Sequence, residues 1–191
     1  GELGLDGSVR SIRGALSIAR RTAVRSDGSE LVLPRHNVAE AGRVTSLRLA
    51  APENLRSLAG DLQSGSLAAP QRETAATAPQ ESLLDFADVV GQATAKRALE
   101  VAAAGGHNLS MTGPPGAGKT MLARRLPGIL PELSESESLE VIAIQSVAGI
   151  LPNNVPAICP RPFRAPHHSI SAAGLIGGGS IPRPGEVSLA H

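Results

Sequence analysis

A chain of 191 residues with 18 Lys+Arg against 17 Asp+Glu is one to two small domains long and carries a formal net charge of +1, so no global field calls for a nucleic acid or a membrane. Hydrophobic residues make up 41% but aromatics only 1%, Phe86 and Phe163, and a core must therefore be built from Ala, Val, Ile and Leu. The single cysteine, Cys159, excludes an internal disulfide framework and a cysteine-based zinc site, and no apolar run approaches the roughly 20 residues of a spanning helix.

The chain opens at Gly1 directly into patterned sequence, with neither Met nor a signal peptide, which reads as an internal fragment. Asp6-Gly7 between Leu3/Leu5 and Val9/Ile12 predicts a hairpin. Ala15, Leu16, Ile18, Ala19 and Ala23 form the apolar stripe of a helix over Ala15–Val24, stopped by Ser26-Asp27-Gly28. Leu31–Leu33 is a buried-strand candidate, Asn37 a cap for a helix over Val38–Val44, Leu47–Ala50 another strand and Pro52–Leu62 a further helix. This is an α+β segment.

Residues 64–84 change character. Ala, Ser, Thr, Pro and Gln follow one another without period, as in a flexible linker; a surface loop within one domain would be unusually long. Pattern returns at Asp85: an Ala-rich helix over Thr94–Ala104, a short strand Leu109–Thr112, and a helix Gly118–Leu126 closed by Pro127-Gly128. Ser134 and Glu137 form a capping box that opens a helix over Glu135–Ala148, with Leu139, Ile142 and Val147 among its apolar positions. Beyond Gly149 the Pro- and Gly-rich sequence predicts strands and loops.

One motif carries chemistry. Gly113-Pro114-Pro115-Gly116-Ala117-Gly118-Lys119-Thr120 matches G-x-x-x-x-G-K-[ST] in full, between a predicted strand and a predicted helix. Triphosphate oxygens only accept hydrogen bonds, so a site for them needs convergent N–H donors, and glycines let the backbone curl around the phosphates without Cβ clashes. The helix adds its N-terminal N–H groups, Lys119 a compact charge for the terminal phosphates, and the Thr120 hydroxyl a ligand for Mg²⁺. Lys119 is one of only two lysines, and an ammonium fits inside such a loop where a broad guanidinium does not.

Asp85–Gln92 (DFADVVGQ), leading into the helix before the loop, resembles the segment of AAA+ ATPases that covers the adenine, which implies Val90, Gly91 and Gln92 as nucleotide contacts beside the loop. The resemblance sharpens in Gly105–Asn108, in Arg161–His168 (RPFRAPHH) and in Leu175–His191, which are similar to magnesium-chelatase-like AAA+ proteins of the YifB/ComM type. It implies an α/β fold, with residues 85–191 the first part of a chelatase-like AAA+ module. Residues 1–63, by Gly1–Arg10, Ile12–Leu16 and Leu31–Asn37, resemble the later half of a Lon-protease-like, ribosomal-S5-type α+β domain. The catalytic lysine of a Lon helix falls on Ile18 here, and residues 1–62 contain no lysine, which excludes a Ser-Lys peptidase.

The resemblance implies ATP and Mg²⁺ as cofactors, a cytoplasmic homo-oligomer (a hexamer) as the parent, no membrane, and DNA as partner of an ATP-driven motor for branch migration. The alternatives are the ATPase subunit of a magnesium–porphyrin chelatase and a nucleotide-binding protein without motor activity. The family places its acidic Walker B strand immediately after His191, so this chain is expected to bind nucleotide more readily than to hydrolyse it. Residues 141–191 carry Arg161, Arg164 and Arg183 against one acid, Glu186, on a Gly-rich stretch, either a DNA-facing hairpin or a set of structural contacts. His167-His168 is a poor metal site if its neighbours alternate on a strand, and Arg124-Arg125 is expected on the solvent face of the loop helix.

Overall fold

The computed structural model describes residues 1–25, 30–67, 69–70, 84–152, 155, 158–180 and 182–191. The Ser26-Asp27-Gly28 stop and most of the 64–84 linker lie outside the described residues. The predicted hairpin forms between β1 (Glu2–Leu3) and β2 (Val9–Arg10), antiparallel with Leu3 opposite Val9. Its turn is held by the Asp6 carboxylate, which accepts from the Ser8 N–H at 3.0 Å and hydroxyl at 2.6 Å. Those two bonds hold the Asp6 carboxyl below the usual carboxylate range.

Helix α1 (Ala15–Arg25) buries Ala15, Leu16 and Ala19, one narrow stripe at helical spacing. Ile18 lies off that stripe and is 44% exposed, so it does not share the core role predicted for it. Strands β3 (Glu30–Val32) and β4 (Arg48–Ala50) pair in parallel, Leu31 opposite Leu49, with helix α2 (Val38–Ala41) on the crossover between them. Ala19, Leu33, Val38, Ala41, Leu47 and Leu49 close this small core.

Asn37 does not cap α2. Pro34 is followed by a 3-10 turn, Arg35–Asn37, which has already brought Asn37 into the helical region (φ −93°, ψ −1°), whereas a capping residue must be extended. Its amide instead pairs with the backbone of Ile12, accepting from the N–H at 3.0 Å and donating to the carbonyl at 2.8 Å, and it also donates to Glu40 at 2.6 Å. Helix α3 (Leu55–Ser64) starts three residues later than the predicted Pro52, because Asn54 is the extended residue whose side chain accepts from the Ser57 N–H.

Helix α4 (Ala93–Gly105) forms as predicted, but Leu109–Thr112 is not a strand. A strand requires a ladder partner, and among the described residues none lies beside it. Leu109 lines an open hollow of ≈ 740 Å³ with Ala98 and Val101 on α4. The loop helix α5 is short, Lys119–Ala123, and tightens into a 3-10 turn at Leu126–Gly128.

Helix α6 (Glu135–Ala148) has the predicted capping box: the Ser134 hydroxyl accepts from the Glu137 N–H while the Glu137 carboxylate accepts from the Ser134 N–H at 2.7 Å. Its buried face is Ser138, Val141, Ile142 and Ser146; Val147 turns away, 40% exposed. Leu16 of α1 packs into one cluster with Leu133, Val141, Ile142, Val155 and Cys159. Two backbone N–H groups, of Gly14 and Cys159, donate to the Ser146 and Ser138 hydroxyls at 2.9 Å each. Burial pushes the Cys159 thiol up, as expected of a packed residue rather than a nucleophile.

After Gly149 two short helices appear where strands and loops were predicted: α7 (Ala172–Ile176), opened by Ser171, and α8 (Glu186–Leu189). They flank a hairpin of β5 (Gly177–Gly178) and β6 (Arg183–Pro184). Among the described residues no helix is long and apolar enough to cross a membrane.

Candidate functional site

The Gly113–Thr120 loop runs from the extended segment after α4 into the first turn of α5. Gly116 and Gly118 have φ of 82° and 81°, a left-handed conformation that places successive N–H groups on the inner side of a curl and that a side chain would resist. Among the described residues the N–H groups of Gly116, Gly118, Lys119 and Thr120 make no hydrogen bond. Two of them belong to the first turn of α5, where no intrahelical acceptor exists. The Lys119 ammonium folds into the same curl and donates to the carbonyls of Gly113 and Pro114 at 2.8 Å each. The loop thus holds four N–H donors without a partner among the described residues and a cation folded back onto it, and Thr120 is exposed.

Asp85–Gln92 forms the neighbouring wall. Asp85 caps a 3-10 turn at Phe86–Asp88, and Phe86 and Val89 are buried against Leu99 of α4 and Leu122 of α5. Val90, one residue on, is 96% exposed. Gln92 is the one non-glycine with positive φ (58°) among the described residues, and its amide reaches the Ala117 carbonyl in the loop at 3.4 Å. Of the predicted contacts Val90, Gly91 and Gln92, it is Gln92 that touches the Gly113–Thr120 loop.

Two residues that tie this wall down escaped the sequence. Lys96, the other lysine, donates to the Val89 carbonyl. Arg125, expected in solvent, has a side chain only 12% exposed: it donates to the Asp85 carbonyl at 2.8 Å and the Met121 carbonyl at 3.1 Å, and its guanidinium lies 3.7 Å from the Asp88 carboxylate. A burial gap between neighbouring arginines cannot be read from a five-residue helix. Arg124 remains exposed.

The three arginines of the later region differ among themselves. Arg161 donates to the Pro131 carbonyl at 2.6 Å. Arg164 makes a two-pronged pair with Glu186, 2.6 Å on each prong, which holds the Glu186 carboxyl below its ordinary range. Arg183 is exposed on β6. His167 and His168 are not on a strand; their rings face one another with centroids 4.1 Å apart, and His167 Nδ1 is engaged by the Ser169 hydroxyl. Among the described residues no group of three His, Cys, Asp or Glu could hold a metal ion.

The family model described as magnesium chelatase, subunit ChlI, matches residues 85–191, more than half of the chain and the part that contains this site. Across its whole length the chain is 54% identical to an uncharacterised protein of Mycobacterium tuberculosis and 41% identical to the uncharacterised protein YifB of Escherichia coli. It is 41% identical over 99% of its length to the competence protein ComM of Haemophilus influenzae. The chain spans 38% of the first of these relatives and 37% of the other two. With the Gly113–Thr120 loop inside the matched region and the likeness running through residues 1–84 as well, the chain belongs to the magnesium chelatase ChlI family and is a YifB/ComM-type member of it.

Proposed function

We propose that this chain binds ATP or ADP together with Mg²⁺ at the Gly113–Thr120 loop, as part of an AAA+-like ATPase. The observation that carries the reading is a loop with left-handed Gly116 and Gly118, four N–H groups that make no hydrogen bond among the described residues, and the Lys119 ammonium folded back onto it. Such a donor set suits a polyphosphate, whose oxygens accept and carry negative charge. Lys119 neutralises the terminal phosphates, Thr120 supplies an oxygen to the metal, and Val90, Gly91 and Gln92 face the nucleoside. Mg²⁺ would neutralise phosphate charge when bound. Calorimetric titration with ATP and Mg²⁺ tests this: Lys119→Ala is expected to abolish binding, and binding as tight as that of the parent chain would refute the loop assignment.

The same nucleotide chemistry serves two larger readings, metal insertion and movement on DNA. We favour DNA, because a relative named for competence matches the whole segment and because Arg183 stands exposed on a Gly-rich hairpin while Glu186 holds the charge of Arg164. Arg183→Ala should weaken binding of duplex DNA in fluorescence anisotropy and lower its salt slope by about 1, as loss of one phosphate contact requires. An unchanged affinity and slope would return the preference to metal insertion.

A further inference from the structure

We propose that Arg125 is a positioning residue for the nucleoside half of the ligand: it fixes the Asp85–Gln92 wall against the phosphate loop, and so determines how much the base and ribose add to phosphate binding. The proposal rests on the nucleotide reading above and deepens it.

Arg125 sits just beyond the C-terminus of α5, the helix whose first turn supplies phosphate donors. Its Nε reaches back 40 residues to the Asp85 carbonyl, the start of the wall, while Nη1 holds the Met121 carbonyl of α5 itself. One rigid guanidinium thus bridges the two halves of the site, and Asp88 balances its charge. The Asp85–Asp88 turn is closed on itself by the Asp85 carboxylate, which accepts from the Ala87 N–H at 2.9 Å. A pull on Asp85 is therefore passed to the whole turn.

On the other side of that turn the fastening is apolar, through Phe86 and Val89 against Leu99 and Leu122. Just beyond both fastenings, before α4 begins, the chain emerges as an exposed Val90, a Gly91 and a Gln92 held in the left-handed region. A non-glycine residue holds such a conformation only where its surroundings enforce it, and such outliers cluster at ligand clamps. An exposed apolar side chain followed by an amide suits a base and a ribose, not a phosphate. The contacts of Arg125 are with the wall and with α5: Nε on Asp85, Nη1 on Met121 and Nη2 beside Asp88. Its effect should therefore fall on the nucleoside alone.

The test compares ATP with inorganic triphosphate, each with Mg²⁺, by calorimetry on the 191-residue chain. Arg125→Ala is expected to weaken ATP binding about ten-fold, ~1.4 kcal/mol, with triphosphate affinity unchanged. Arg125→Lys, which keeps the charge near Asp88 but has no Nε for Asp85, should recover part of the loss. Arg124→Ala should leave both affinities alone. Equal weakening of both ligands by Arg125→Ala, or weakening of neither, overturns the proposal. Should Arg125→Ala lose its helical circular dichroism, the same ratio read on Arg125→Lys and Asp88→Asn decides the matter by the same criterion. Lys119→Ala separates the two readings: loss of both ligands upholds the loop assignment, and retained triphosphate binding overturns that assignment and this proposal with it.

Discussion

Leu16 is the side chain on which the contact between α1 and α6 depends, and truncating it to Ala measures that contact. It is 0% exposed and belongs to the cluster of Leu133, Val141, Ile142, Val155 and Cys159. Removing its three outer carbons forfeits ~2.4 kcal/mol of transfer energy at about 0.8 kcal/mol per buried methylene, and the cavity left behind raises the total to about 2–5 kcal/mol. Ile18, two residues along the same helix and 44% exposed, is the internal control; Ile18→Ala should cost under about 1 kcal/mol. Urea denaturation followed by far-ultraviolet circular dichroism gives both values. A double-mutant cycle with Ile142→Ala then isolates the cross-segment term, expected at about 0.5–3 kcal/mol for residues sharing one core. Strict additivity, or a Leu16→Ala cost no larger than that of Ile18→Ala, would refute the shared core.

Gly149, the residue that ends α6, has φ of 76°, and a Cβ there would stand 2.6 Å from Arg13 Nε. Gly149→Ala should therefore cost about 1 kcal/mol or more in the same assay, with a value near zero counting against this helix end. The Arg164–Glu186 pair makes a pH prediction. The bound guanidinium holds the Glu186 carboxyl below the ordinary carboxylate range, so the stabilisation is present above that range and is lost as pH falls through the lowered value in the folded state. Glu186→Gln should lower the melting temperature at pH 7 and narrow the gap to parent at pH 3; an equal gap at both pH values would contradict the assignment.

The Gly113–Thr120 loop could be singled out in the sequence because the motif lies within eight residues, and its Lys119 still meets Gly113 and Pro114 in space. The Ser134/Glu137 box was legible for the same reason. What escaped depended on distant partners. Leu109–Thr112 has the composition of a strand, but composition does not supply a neighbour to pair with. Asn37 has the right side chain for a cap, but Pro34 started a 3-10 turn that removed the extended backbone a cap needs. Arg125 and Asp85 are 40 residues apart, and Arg164 and Glu186 are 22 apart, so neither pair leaves a local trace. Ile18 failed more subtly, since an apolar residue one step off a three-residue stripe still looks amphipathic.

Ser138 and Ser146 lie eight residues apart on α6, about 12 Å along its axis, each receiving a backbone N–H from a different flanking segment. A purely greasy seam would let the helix slide or roll by small increments at little penalty. Two hydroxyl sockets do not, because displacement by a turn would strand both N–H groups in the interior at about 1–3 kcal/mol apiece. The helix is keyed like a bolt in a lock. Moving α6 along its axis therefore means either breaking both bonds or carrying Gly14 and Cys159 along.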